Sequence, residues 1–125
     1  MLKLVFCLRR REGMTREEFQ AYWREKHAPL VQSHAAALGI RRYVQVHAID
    51  DAISVAVAGA RNAEDLPFDG VAELWFDSLD AIVAAGSTPA GQAAGAALLE
   101  DERRFLDLAH SPLFLANEHV IVESE

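Results

Sequence analysis

Tyr22-Trp23-Arg24-Glu25-Lys26-His27-Ala28-Pro29-Leu30 sets two aromatic rings, an imidazole and a helix-breaking proline within about two turns of one apolar helix. An imidazole titrating near neutrality serves as general acid or base, and a break at Pro29 would give His27 unpaired backbone groups and a pocket edge. The alternative is a histidine that ties down the kink through a backbone hydrogen bond. Tyr22 and Trp23 share its helix face and either line an aromatic pocket or pack the core. Further on, Arg42, Tyr43, Gln45 and His47 make one strand polar for so small a sheet, which implies a solvated edge or a pocket wall. Tyr43 and His47 alternate onto one face, where they can bind or protonate an enolate. Arg42 is a candidate anion stabiliser, or the partner that Glu73 needs if that carboxylate is buried in its apolar run. Asp107 and His110, three residues apart, form an acid–base pair or cap and charge a helix end. Cys7 reads as a small buried hydrophobe. His34 lies two turns beyond His27, too far for a tight two-histidine metal site unless a kink bends them together. No glycine-rich phosphate loop, zinc spacing or nucleophile elbow occurs, so neither cofactor nor metal is expected.

The elements that must hold these residues follow from periodicity. Leu2 to Leu8 alternates as a first strand, ended by Arg9-Arg10-Arg11-Glu12-Gly13. Thr15 with Glu18 has capping-box spacing and opens a helix that runs to Gly39, with Pro29 predicted to kink it and to push Ala28 out of the α region. Ile40 to His47 is a second strand. Ile53, Val55 and Val57 alternate, yet Asp50-Asp51 resembles an N-cap and Gly59 a stop, and we read a short helix. Residues 61–70 form a loop, and Val71 to Phe76 a third strand. Ser78 starts a helix ended by Gly86, and Thr88-Pro89 restarts it. Asp101 to Leu108 is expected to continue as helix until Ser111-Pro112, and Asn117 to Glu123 to form a fourth strand.

That order, β-α-β twice, predicts an α+β split βαβ sandwich: a four-stranded antiparallel sheet with helices on one face. Strands one and three are apolar on both sides, so the bare face needs a cover, and a second copy packed sheet to sheet is expected. A chain of 125 residues fits a single domain spanning 1–125, large enough to need no disulfide, and its one cysteine cannot bridge within a monomer. No basic-then-apolar leader or long apolar run is visible, so the chain reads as cytoplasmic, with no membrane partner. A net charge of −7 argues against nucleic acid. Up to His47 there are nine Lys/Arg against four Asp/Glu, and from Ala48 three against fifteen. The halves either pair with each other or leave a basic cleft walled by Arg9, Arg10, Arg41 and Arg42.

With these segments in view, the chain resembles the EthD family of the dimeric α/β-barrel superfamily, whose subunits are ferredoxin-like. The likeness rests on Phe6 with Arg9-Arg10, on Gly13-Met14-Thr15 and Phe19, on Tyr22-Trp23 with His27-Ala28-Pro29-Leu30, and on Arg42-Tyr43-Val44-Gln45. It continues through Phe68-Asp69-Gly70-Val71-Ala72-Glu73-Leu74-Trp75-Phe76, Asp101 with Phe105 and Asp107, and Glu118-His119-Val120, and is least family-typical from Ile53 to Ala63. The resemblance implies a small, often aromatic ligand and superfamily chemistry of the isomerase, cyclase or cofactor-free monooxygenase kind. On this reading the chain is a cofactor-independent enzyme or accessory enzyme for a small aromatic, quinone or lactone-like molecule. His27 would transfer the proton, and Tyr43 or Arg42 would stabilise the anion. Tyr22, Trp23, His47, Trp75, Phe105 and Asp107 would build the pocket. The competing expectation is a non-catalytic carrier that supports a partner oxygenase.

Overall fold

The computed structural model describes residues 1–124. The strands are β1 (Leu2–Leu8), β2 (Arg42–His47), β3 (Gly70–Phe76) and β4 (Leu113–Asn117); the helices are α1 (Arg16–Tyr22), α2 (Ala28–Leu38), α3 (Ala52–Ala60), α4 (Leu79–Gly86) and α5 (Pro89–Glu102). The strands form one antiparallel sheet in the order β2-β3-β1-β4. This is the ferredoxin-like arrangement that the order of elements implied. Thr15 caps α1 with its hydroxyl on the Glu18 N–H while the Glu18 carboxylate returns to the Thr15 N–H. Asp51 caps α3, which settles the ambiguous segment as helix. Ser78 and Thr88 cap α4 and α5.

Pro29 does not expel Ala28 from the α region, because Ala28 is helical at φ −57° and ψ −45°. The chain instead opens the preceding turn, Trp23–His27, into a π-helical turn in which the Ala28 N–H reaches back to the Trp23 carbonyl. The adjustment has a packing reason. Phe19, Trp23, His27 and Val31 are all buried and spaced by four, and in an α-helix such a stripe drifts by about 40° per step. A wider turn at Trp23–His27 cancels part of that drift and keeps the four side chains facing the sheet.

Two further expectations are corrected. α5 ends at Glu102 rather than running to Leu108, because the Phe105 and Leu106 N–H groups both turn back to the Glu102 carbonyl. The chain is then drawn to the end of β1: the Arg11 N–H bonds the Phe105 carbonyl and the Asp107 N–H bonds the Arg9 carbonyl. The fourth strand is Leu113–Asn117, not Asn117 to Glu123. Its antiparallel register pairs Leu113 with Phe6 and Asn117 with Leu2, so β1 is used up just where the Val120-Ile121-Val122 run begins. Those three residues are 71%, 87% and 86% exposed. Pro112 begins the pairing instead of blocking it, its carbonyl accepting from the Cys7 N–H at 2.8 Å, as an edge strand permits.

The core lies between the sheet and the helices, centred on Leu8, Phe19, Trp23, Ala72, Phe105 and Leu106. On the opposite face the register aligns Lys3, Trp75 and Arg42, then Phe114, Val5, Glu73 and Val44, then Cys7, Val71 and Val46. Glu73 pairs there with Lys3, not with Arg42. The basic first half and acidic second half meet within the subunit: buried Asp69 accepts from Arg10 at 2.6 Å and Arg16 at 3.0 Å, and Arg41 grips Asp77. Burial opposes ionisation of Asp69, yet the Arg10 backbone N–H and the two guanidinium groups hold its carboxyl below the usual carboxylate range. Among the described residues no helix is long and apolar enough to cross a membrane.

Candidate active site

A cavity of about 210 Å³ lies between the layers, walled by the inward side chains of β1 (Leu4, Phe6, Leu8) and β3 (Ala72, Leu74), with Leu98 and Phe105 beside them. The volume exceeds the roughly 150 Å³ apolar cavity that admits benzene, so one substituted ring fits. Three polar side chains face this otherwise apolar space: His27, Tyr43 and Glu102.

His27 comes from the π-helical turn and is 5% exposed. Its Nδ1 lies 2.7 Å from Asp101 Oδ2. A carboxylate only accepts, so Nδ1 carries the proton and Nε2 is left with a lone pair. Burial lowers the pKa of His27 while Asp101 raises it, and burial prevails, so the ring is neutral at pH 7. Asp101 is itself buried, which opposes its charge, but hydrogen bonds from Tyr22 Oη at 2.6 Å, from His27 and from Arg104 at 3.1 Å bring its carboxyl below the ordinary range. The result is a basic Nε2 backed by a fixed anion, the arrangement that orients an imidazole for proton abstraction.

Tyr43 projects from β2 into the same space. Its oxygen accepts from Trp23 Nε1 at 3.2 Å and from Gln45 Nε2 at 3.0 Å, so its own proton remains for a ligand. Burial raises its pKa and keeps it a donor at neutral pH. Gln45 also donates to the Trp23 carbonyl at 2.9 Å and accepts at 2.8 Å from His47, whose ring stacks on Trp23 with centroids 4.4 Å apart. Gly70 makes this possible. A Cβ there would stand 2.6 Å from Trp23 Cζ3, so only glycine lets the indole lie against β3.

Of the residues the sequence singled out, the fold brings His27, Tyr43, Trp23 and Phe105 to the cavity wall, the Phe105 ring 4.9 Å from that of His27. Tyr22 stands behind the wall as a donor to Asp101, and His47 supports Trp23 from the side. Arg42 and Trp75 are on the other face of the sheet, the guanidinium 4.5 Å above the indole, whose N–H donates to Glu118. Asp107 faces away and pairs with His110 at 2.8 Å near the surface. Asp101 and Glu102 were missed as site residues. For Asp101 a signal existed: Gly91, Ala94, Leu98 and Asp101 step by three and four along the buried face of α5, so a carboxylate ends an apolar stripe. Glu102 carries no such mark. Among the described residues no group of three His, Cys, Asp or Glu side chains is placed to hold a metal ion.

A four-stranded antiparallel sheet in the order β2-β3-β1-β4, with α1, α2, α4 and α5 over one face, defines a ferredoxin-like α+β protein. Within that class, residues 11–109 match the EthD domain, and the chain belongs to the EthD family. An EthD-family protein from Bacillus halodurans is 19% identical and superimposes with a TM-score of 0.63, covering 95% of this chain and 99% of the other. A dimeric protein of ferredoxin-like fold and unknown function from Bacteroides fragilis is 14% identical, with a TM-score of 0.58 over 94% and 95% of the two chains. SnoaB, a cofactor-independent oxygenase from Streptomyces nogalater, is 17% identical, with a TM-score of 0.56 over 98% and 97%. At these identities the likeness establishes the fold. No curated protein matches the sequence.

Proposed function

We propose that this EthD-family chain is a cofactor-independent enzyme that moves a proton on a small cyclic, carbonyl-bearing or phenolic molecule. The observation that carries the reading is the His27–Asp101 dyad at the wall of an apolar, ring-sized cavity, with the Tyr43 hydroxyl free to donate into it. His27 Nε2 takes the acidic proton, Asp101 stabilises the imidazolium that forms, and Tyr43 hydrogen-bonds the oxygen that gains charge. Trp23, Phe105 and Leu98 hold the ring and exclude water. The described relative that acts without a cofactor supports this reading at the level of fold. The molecule acts as a homodimer, joined through the open sheet face, where Val5, Val44, Val71 and Phe114 form an apolar stripe around the Lys3–Glu73 pair.

The test is proton exchange in deuterium oxide with cyclic ketones, lactones and phenols, followed by NMR. Wild type should exchange the hydrogen next to the carbonyl of at least one compound, and His27→Ala and His27→Gln should lose ~10²-fold or more in rate while binding it normally. If compounds bind, Trp23→Ala weakens binding, and no exchange or turnover occurs with any of them, the protein is a carrier and the catalytic reading fails.

A further inference from the structure

Glu102 is the polar wall residue that the proton-transfer reading leaves unused. It follows Asp101 at the last residue of α5, is half-buried, and is influenced by burial and the Asp101 charge with no hydrogen-bond or ion-pair partner among the described residues. Asp101, next to it in the chain, collects Tyr22, His27 and Arg104. Two neighbouring carboxyls thus have opposite environments, one supplied with donors and the other set against apolar wall. The elements facing Glu102 bring no cation: β1 contributes Leu4, Phe6 and Leu8, β3 contributes Ala72 and Leu74, and β4 contributes Leu113. The titratable groups that share its space are Tyr43 from β2, His27 from the π-helical turn and Asp101 on its own helix.

Resting on the proton-transfer reading of the same cavity, we propose that Glu102 is its second acid–base group, a carboxylic acid that gives its proton to the ligand while His27 removes another, and that the ligand is a neutral, β,γ-unsaturated cyclic ketone or lactone. Burial, helped by the Asp101 charge, raises the carboxyl to about 7, which matches the protonation state this role requires near neutrality. His27 Nε2 takes a proton from the carbon between the carbonyl and the ligand's C=C bond, the C–H electron pair becomes a new C=C bond, and the carbonyl π pair moves to the oxygen, held by Tyr43. Glu102 then protonates the far carbon of the conjugated enolate. Once the product has left, the imidazolium loses its proton to bulk solvent and the Glu102 carboxylate takes one from it, so the net change is isomerisation, with nothing oxidised or reduced. A carboxylate ligand does not suit the site, because no cation lines it among the described residues.

Two measurements test this, with cyclohex-2-enone as a neutral, non-titrating probe. Infrared difference spectra between pH 6 and pH 9 should show a protonated carboxyl band at the lower pH that disappears at the higher one and is missing in Glu102→Gln. Affinity for cyclohex-2-enone should fall about tenfold from pH 6 to pH 9 in wild type and stay level in Glu102→Gln and Glu102→Met, the second variant covering any folding defect in the first. No carboxyl band at pH 6, a band that survives in both variants, or equal pH dependence in wild type and variants overturns the assignment. His27→Gln separates the two readings: it should keep the band and the pH-dependent affinity while losing exchange. Loss of exchange in His27→Gln with none of the Glu102 signals leaves the proton-transfer reading standing and removes only Glu102.

Discussion

At the scale of single residues, the division of labour between Asp101 and Glu102 shows how strongly local donors set the chemistry of identical functional groups. Asp101 receives hydrogen bonds from three side chains and stays ionised in a buried position, which gives His27 a fixed tautomer and a counter-charge. Asp101→Asn should preserve most of the hydrogen-bond geometry yet lower proton-exchange turnover by ~10²-fold, since the imidazolium formed in the reaction loses its anion. The pH profile gives a second check. His27 must be neutral to act, and burial sets its pKa below the ordinary 6.5, so activity should persist as pH falls past 6.5 and disappear only through the lower value. Asp101→Asn removes the influence that opposes burial and should move this acid limb lower still. A limb that stays in place in the variant would separate Asp101 from the base. Steady-state rates from pH 4 to 8 decide the matter.

At the scale of elements, the site depends on two departures from regular geometry, each with a visible cause in the chain. The π-helical turn at Trp23–His27 accommodates Pro29 and holds Trp23 and His27 on one face, and π-turns recur at functional sites because the wider turn re-aims side chains. Gly70 opens β3 where the Trp23 indole rests and where a methyl group would meet both the ring and the Val46 carbonyl. Gly70→Ala should therefore destabilise the fold by about 1–3 kcal/mol, the usual result of forcing volume into a packed site. It should also weaken ligand binding by displacing Trp23, and so the Tyr43 oxygen that the indole N–H contacts. Chemical denaturation and ligand titration measure the two effects, and an Ala variant equal to wild type in both would show that Trp23 can relax at no cost.

At the scale of the whole molecule, the two faces of the sheet carry different tasks. The inner face, with Leu4, Phe6, Tyr43 and Leu74, meets the helices and makes the cavity. The outer face keeps an apolar stripe, with Phe114 52% and Val46 44% exposed, and α3 flanks only its β2–β3 side, where Val57 and Ala58 share a groove with Val46 and Val71. Apolar area of this kind gains stability when a second copy covers it. Light scattering at micromolar concentration should return the mass of a dimer. Phe114→Asp, which places a charge at an exposed position of the stripe, should shift it toward monomer with the far-UV spectrum unchanged; a wild-type monomer at that concentration would sink the sheet-to-sheet model.

What the sequence determined by itself was whatever depends on near neighbours in the chain. Caps at Thr15, Asp51, Ser78 and Thr88 and the alternation of Leu2 to Leu8 are local signals that placed the helix starts and the first strand, and the family was legible in short motifs such as Tyr22-Trp23 with His27-Ala28-Pro29-Leu30. His27 and Tyr43 were legible as candidates because an imidazole beside a proline and a tyrosine in a polar strand are unusual wherever they fall. Tertiary structure alone decided which partners meet. Val120-Ile121-Val122 has strand composition, but β1 ends before it can pair, and register is a property of two segments rather than one. Arg42 and Trp75 lie on the face away from the cavity because each is one residue out of step with Tyr43 and Leu74, and a single step in a strand reverses the face. Asp101 becomes the partner of His27, 74 positions away, only when α5 packs across the π-helical turn, and that same packing leaves Glu102 facing an apolar wall with no cation beside it among the described residues.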